Sequence, residues 1–418
     1  MSEIEARAVG AVDLDWQLEL LHRLVAARSD DGLESAAQHT MSAVMRGLEL
    51  DLDEWEIDLD ELRRDPNHSE EIDRKEALGL VGSMGTGEGR SLILNGHVDV
   101  VGAGIEADWT VPPWELTRRD GRAYGRGAVD MKGALTCAVG AVRALRLADV
   151  RLAGTLSIQS VVGEEDGGTG TLATVRRGHT GDAAIVLEPT QLQIAAAHCG
   201  ALCFRIEVRG LAAHGCVRDE GVSAIDKAVP LLVALRDLEA QRNARLEHPL
   251  YRDTANPLPI AVGTIQGGDW PSTVPDSVTL EGRCGVAPGE SLASVRAEFE
   301  AAVATVAAGD EWLREHSPVV IWFGGRFESA EIAPGSAIVK ILAGAADCAT
   351  GVTPAVCGVT YGADMRILNN IAGIPTVMFG PGDVRQAHAP DEYVSLEDLA
   401  ACTRALVVAA MRYCGVET

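Results

Sequence analysis

The sequence predicts an α/β protein: a mixed sheet flanked by helices, interrupted by a smaller inserted α+β domain. Three observations carry that expectation. Up to about residue 201, short apolar runs of strand length alternate with helical patterns, which favours a largely parallel sheet covered by helices. From residue 202 the pattern changes to two blocks, each a strand and an amphipathic helix. From about residue 327 buried-strand and helix patterns return. The expected organisation is a discontinuous outer domain, residues 1–201 and 321–418, around an insertion at 202–320.

Each element follows from its residues. The N-terminal MSEIEARAVGAVDLD is acidic and lacks an apolar core, so it does not read as a signal peptide. The acidic stretch 48–71 reads as an exposed strand or loop with few core contacts. Residues 91–95 form a short apolar run, hence a buried strand. His97 and Asp99 follow it two apart, and on extended backbone such residues point the same way. Asp99 is therefore expected to reach the His97 ring and fix which nitrogen faces a metal. Next, Gly125, Gly127 and Gly133 allow tight turns around Asp130. Leu135, Val139, Val142 and Leu145 then recur at helical steps, placing Asp130 just before a helix N-terminus, where a carboxylate is favoured.

Residues 156–162 read as another buried strand, and Glu164 and Glu165 follow directly. Adjacent carboxylates repel unless a cation or a proton intervenes. A metal accounts for one of them, and the other is then placed beside a water as a general base. AAIVLEPT is a strand with Glu188 at its exit, and IPTVMFGPGD leads into a loop carrying His388. Singly, these residues read as strand ends, an N-cap or an acidic turn. Five such exits in a chain with 10 His point instead to a metal centre. Imidazole and carboxylate ligands suit zinc, cobalt or manganese, and the absence of Cys ligands argues against a closed structural zinc site.

In the insertion, LCFRIEVRG alternates as a half-buried strand and 224–242 places Ala228, Leu231, Leu232 and Leu235 on one helical face. VTLEGRCGV and the stretch 291–308 repeat the strand–helix unit.

Composition narrows the class. A length of 418 residues suits two domains. The net charge of −25, from 36 basic and 61 acidic residues, disfavours nucleic acid and anionic membrane surfaces. No apolar run approaches membrane-spanning length. The nine Cys include no C-x-x-C pair and read as reduced residues of a cytoplasmic protein. Cys199 and Cys203 lie near site segments but read as packing residues.

From about residue 18 to the C-terminus, these motifs resemble the acetylornithine deacetylase and succinyl-diaminopimelate desuccinylase group of dinuclear metallohydrolases, related to aminoacylases and carboxypeptidases. The resemblance implies a zinc-peptidase-like catalytic domain and an inserted lid with a four-stranded sheet and two helices, used for homodimerisation. It implies His97 and Glu188 on one metal, His388 and Glu165 on the other, Asp130 bridging both, Asp99 orienting His97 and Glu164 as general base. His214, in the G-x-A-x-H segment, is implied as a donor to the oxyanion, commonly from the partner subunit. Ser272 stands where family members often place Asn before V-x-P. Arg283 and Arg366 are candidates to grip a substrate carboxylate bidentately, with internal salt bridges as the alternative.

Two divalent ions, Zn²⁺ or Co²⁺ with Mn²⁺ as a further option, would sit roughly 3.5–4 Å apart, acidify a shared water and polarise an amide carbonyl. The implied substrate is a small N-acylated amino acid or related amide, as in acetylornithine deacetylase. Desuccinylation, deformylation of an aminopyrimidine and carboxypeptidase or dipeptidase cleavage are alternatives. A non-catalytic scaffold would not need Glu164. A phosphoesterase would be expected to flank the motifs with a basic clamp, and none is present.

Overall fold

The computed structural model describes residues 1–417, which fall into two compact units. One comprises 1–197, 331–357 and 363–418, and the other 198–330 with 358–362. The insertion is thus longer than the expected 202–320. The strand Gly200–Arg209 starts earlier than expected, the strand Val319–Phe327 ends later, and a short return segment is added.

In the outer unit a mixed sheet runs, in spatial order, through Asp51–Glu56, Leu78–Gly85, Thr155–Val161, Ser91–His97, Ala183–Val186, Thr376–Met378 and Ile194–His198. The four strands from Thr155–Val161 to Thr376–Met378 are mutually parallel. Their flanks are antiparallel. Parallel neighbours deliver their C-terminal ends to one edge of the sheet, where open α/β sheets build their sites.

The helix Lys132–Leu147 shows how composition sets packing. Its apolar period predicts one buried face, yet nearly every residue of it is buried. Small residues such as Ala134, Ala138, Gly140, Ala141 and Ala144 let neighbours approach on the other sides as well. At Gly140 an added Cβ would lie 2.1 Å from Gln17 Nε2, the atom that donates to Thr403 Oγ1 at 2.6 Å. Lys132 is fully buried, and its ammonium donates to the carbonyls of Leu24 and Ala27, closing the C-terminus of the helix Leu14–Ala26.

The stretch 48–71 contains an exposed strand, as expected, but makes more core contacts than expected. It forms the edge strand Asp51–Glu56 and the short helix Leu59–Leu62, and it buries Leu50, Ile57, Leu59 and Leu62.

The second unit carries an antiparallel sheet in the order Ile260–Gly267, Ser277–Val286, Gly200–Arg209, Val319–Phe327. The helices Ala224–Arg245 and Leu292–Gly309 contribute Leu231, Leu235, Val295 and Phe299 to a core shared with Phe204 and Leu280 of the sheet. The Phe204 and Phe299 rings lie 4.6 Å apart.

Candidate metal centre

The residues singled out at the strand exits converge in the outer unit. His97 ends the strand Ser91–His97, while Glu164 and Glu165 follow Thr155–Val161. Glu188 follows Ala183–Val186, and His388 lies in the loop beyond Thr376–Met378. Asp130 arrives from the turn before Lys132–Leu147. Three sequence-distant loops and two strand ends thus meet because adjacent parallel strands share one C-terminal edge.

Asp130 lies between the two imidazoles. Its Oδ1 is 3.2 Å from His97 Nε2 and its Oδ2 is 3.5 Å from His388 Nε2. His388 Nε2 is also 3.0 Å from Glu165 Oε1, and His97 Nε2 is 4.0 Å from Glu188 Oε1. Single ligand atoms of His97, Glu164 and Glu188 lie within 4.8 Å of one another, as do those of His97, Asp130 and Glu165.

The orientation of His97 has a source the sequence did not suggest. Its Nδ1 lies 2.8 Å from the main-chain oxygen of Asp99, with the Asp99 carboxylate farther off at 3.7 Å. That contact puts a proton on Nδ1 and leaves Nε2, which faces Asp130 and Glu188, as the nitrogen that would bind a cation once deprotonated. The Asp99 carboxylate turns instead to the backbone, accepting the Glu165 N–H at 3.0 Å.

Electrostatics test whether divalent cations fit. Glu164 Oε1, Glu188 Oε1 and Asp99 Oδ1 are buried and without a protein hydrogen-bond partner. Burial first, then the neighbouring carboxylates, pushes Glu164 and Glu188 well above the usual carboxylate range. His97 is pushed well above its usual value because the acid around it outweighs its own burial. So many converging acidic oxygens, with imidazole nitrogens among them, form a donor set suited to divalent ions.

Behind these candidate residues lie others that no sequence pattern singled out. Glu392 Oε1 accepts the amides of Val129 and Asp130 at 3.0 and 3.3 Å, and its other oxygen accepts from Arg126 at 2.6 Å. Asp364 is fully buried, and its Oδ2 accepts from Thr171 at 2.5 Å. Burial raises its carboxyl to about 6. The motif YGADMR contains Asp364 two positions before Arg366. Arg366 is itself buried and donates to the Gly167 carbonyl at 2.6 Å, so it braces the loop after Glu165.

The remaining candidates lie in the second unit. His214 is exposed, bridges to Thr273, and its Nδ1 accepts the Cys216 amide at 3.2 Å. A neutral ring held in that way carries its proton on Nε2, as an outward donor. Ser272 is exposed and accepts the Gly215 amide at its carbonyl. Arg283 sits on the strand Ser277–Val286, with its Nε buried and unpartnered.

Comparisons with known proteins extend this picture. Over 406 residues the chain is 30% identical to an N-formyl-4-amino-5-aminomethyl-2-methylpyrimidine deformylase from Bacillus subtilis, covering 93% of this chain and 90% of the relative. An acetylornithine deacetylase from Myxococcus xanthus is 33% identical over 335 residues, covering 79% and 82%. A di-peptidase from Saccharomyces cerevisiae shares the fold, with a TM-score of 0.78, 13% identity and 99% of each chain covered. The model of peptidase family M20/M25/M40 matches residues 93–412, and the chain belongs to that family as a metal-dependent hydrolase of amide bonds.

Proposed function

We propose that the protein removes a short acyl group from a small amine or amino acid through two divalent ions, zinc or cobalt with manganese as an alternative. The observation that carries this reading is the Asp130 carboxylate, with one oxygen toward His97 and the other toward His388. His97 and Glu188 would hold one ion, His388 and Glu165 the other, with Asp130 between them. Bound there, the ions would acidify a shared water and polarise the scissile carbonyl.

The chain's own groups supply the rest. Glu164 takes a proton from the attacking water and returns it to the departing amine nitrogen. Asp99 holds His97 through its carbonyl and the Glu165 backbone through its carboxylate. His214 offers its Nε2–H to the developing oxyanion. Arg283 and Arg366 remain the candidates for a substrate carboxylate, with one Arg366 nitrogen engaged by the Gly167 carbonyl. Ser272 supports the turn that carries His214.

The substrate reading spans formyl and acetyl amides. The motifs favour acetylornithine deacetylase relatives, and the similarity over 93% of the chain to a formyl-pyrimidine deformylase favours the smallest acyl group. Purified protein loaded with zinc or cobalt, assayed against N-formyl, N-acetyl and N-succinyl amides and dipeptides, tests this directly. Turnover of dipeptides alone would sink the deacylase reading.

A cytoplasmic homodimer completes the proposal. All nine cysteines are free, and no helix among the described residues is long and apolar enough to cross a membrane. Ile225, Val229 and Val233 form an exposed apolar stripe at four-residue steps on the helix Ala224–Arg245. Ile265 is exposed on the edge strand Ile260–Gly267 of the same unit. A second copy would cover both. If His214 serves the neighbouring chain, mixing His214→Ala with Glu164→Gln protein restores some activity. No rescue after verified subunit exchange would refute that sharing.

A further inference from the structure

A surface segment outside the family match reaches the loop that carries the two adjacent glutamates. Residues 66–76 lack regular secondary structure, yet Arg74 within them is 2% exposed. Its guanidinium is fully engaged on both sides. On one side Nε and Nη2 donate to Glu34 Oε1 at 3.0 and 2.7 Å. On the other, Nη1 and Nη2 donate to the two carboxylate oxygens of Asp166 at 3.2 and 3.1 Å. Asp166 follows Glu164 and Glu165 directly. The same Asp166 accepts the Glu71 and Ile72 amides at 3.2 and 2.9 Å, so the segment and the loop are joined by main chain as well as by charge.

The guanidinium also bears on the first residue of the loop. Gly163 has φ +66°, and a Cβ there would lie 2.9 Å from Arg74 Cζ. The plane of Arg74 thus packs against bare backbone immediately before Glu164. Four residues on, Gly167 backs onto Ser69 of the segment, where a Cβ would lie 2.2 Å from the Ser69 carbonyl oxygen. Glu164 and Glu165 are therefore bracketed. Arg74 and Asp166 hold the loop from behind, and the Asp99 carboxylate holds the Glu165 amide from the side.

We propose that Arg74 is a positioning residue for this reaction: through Asp166 and Gly163 it fixes the backbone of Glu164 and Glu165, and so the aim of both carboxylates. The inference rests on the reading of those glutamates given above. A bidentate guanidinium suits the task, since it fixes direction as well as charge. A lysine at this position could not span Glu34 and both oxygens of Asp166. Groups that orient ligands from behind are typically worth about 10–100-fold in metal affinity or activity.

The test uses the full-length protein loaded with Co²⁺, whose visible absorption reports ligand geometry without substrate. Asp166→Asn, on the loop side of Arg74, is expected to change the cobalt spectrum. It should weaken retention of one ion against a chelator by about 10–100-fold and lower kcat by a similar factor, with KM little changed. Glu34→Gln, on the side of Arg74 opposite Asp166, leaves both Arg74–Asp166 hydrogen bonds possible and is expected to lower Tm while moving spectrum and kcat less than Asp166→Asn does. If Asp166→Asn does not fold, Arg74→Lys takes its place with the same expected readouts. Equal losses of Tm in both variants, with wild-type spectrum and kcat per loaded molecule, would overturn the positioning role and leave Arg74 a purely structural ion pair. Wild-type protein that takes up no Co²⁺ would overturn the metal reading and this inference together. Wild-type uptake with an unchanged Asp166→Asn protein would overturn this inference alone.

Discussion

The two halves of the centre are built differently. On one side His97 and Glu188 have side chains 1% and 5% exposed, and each lies at or just beyond the end of a central parallel strand. On the other side His388 is 51% exposed, has φ +60° and sits on a loop, with Glu165 at 15%. The enclosed half inherits its geometry from the sheet. The open half is positioned by loops and depends on what braces them: Glu392 behind Asp130, and Arg74 with Asp166 behind Glu165. A site on regular elements holds its ligands more tightly than one on loops. The open half is therefore expected to exchange its ion first.

Asp130 belongs to both halves, and its loss should erase the difference between them. Asp130→Asn is expected to give the largest effect, with neither ion retained through gel filtration and activity lost beyond what any other single change costs. Elemental analysis that still found two ions per chain would remove Asp130 from the bridging position.

Glu164 tests the chemistry apart from the ligands. Glu164→Gln should keep metal content near that of the wild type and lower kcat by about 10²–10⁴-fold, the usual worth of a general base. If the variant lost an ion while Glu165→Gln kept both, the two glutamates would exchange roles.

The asymmetry itself is read by the imidazoles. His388→Ala is expected to leave one tightly held ion, and His97→Ala to compromise the enclosed half and disturb the other through Asp130. Equal stoichiometry and equal chelator sensitivity in the two variants would mean that burial does not govern retention.

The smallest effect is one of pH. In the metal-free protein, Asp130 and Glu165 hold the proton of His388 up to about 10, against about 6.5 for an ordinary imidazole. A raised folded-state value contributes stability that is fully present below about 6.5 and is lost as pH rises through about 10. Metal-free protein should therefore lose stability over that window, while metal-loaded protein shows a flatter profile. Because ligation needs the neutral ring, ion uptake near pH 7 should release protons. Calorimetry in buffers of different ionisation enthalpy would detect this, and zero net release would contradict the pairing.

Much of this was legible in the sequence, for a physical reason. Parallel strands buried on both faces are short apolar runs, and their exits fall at one edge, so acids and histidines placed just after such runs point to a shared site. The same logic separated the insertion, where strands alternate because one face meets helices. What escaped were interactions defined only by closure of the chain. Glu392 and Asp130 are 262 positions apart, and Arg74 and Asp166 are 92 apart. Neither pair has a local pattern to betray it. Asp99 was read from its spacing as a side-chain partner of His97. The nearer contact comes from its carbonyl, which no side-chain periodicity encodes. The exposed edge strand Asp51–Glu56 agrees with the reading of 48–71 as an exposed strand or loop; its acidic residues, a common protection of sheet edges, hid only the core contacts of Leu50, Ile57, Leu59 and Leu62 beside it.

The order of the candidate site residues along the chain has a consequence for how the protein is born. His97, Asp130, Glu164, Glu165 and Glu188 are all synthesised before the insertion begins, and His388 emerges two hundred residues after Glu188. At a translation rate of about 5–20 residues per second, that interval lasts on the order of 10–40 seconds. The strand Thr376–Met378, which pairs with Ala183–Val186 and leads to His388, is missing from the sheet for the same period. A nascent chain on the ribosome thus presents four carboxylates and a single imidazole of the candidate centre until the segment around His388 arrives.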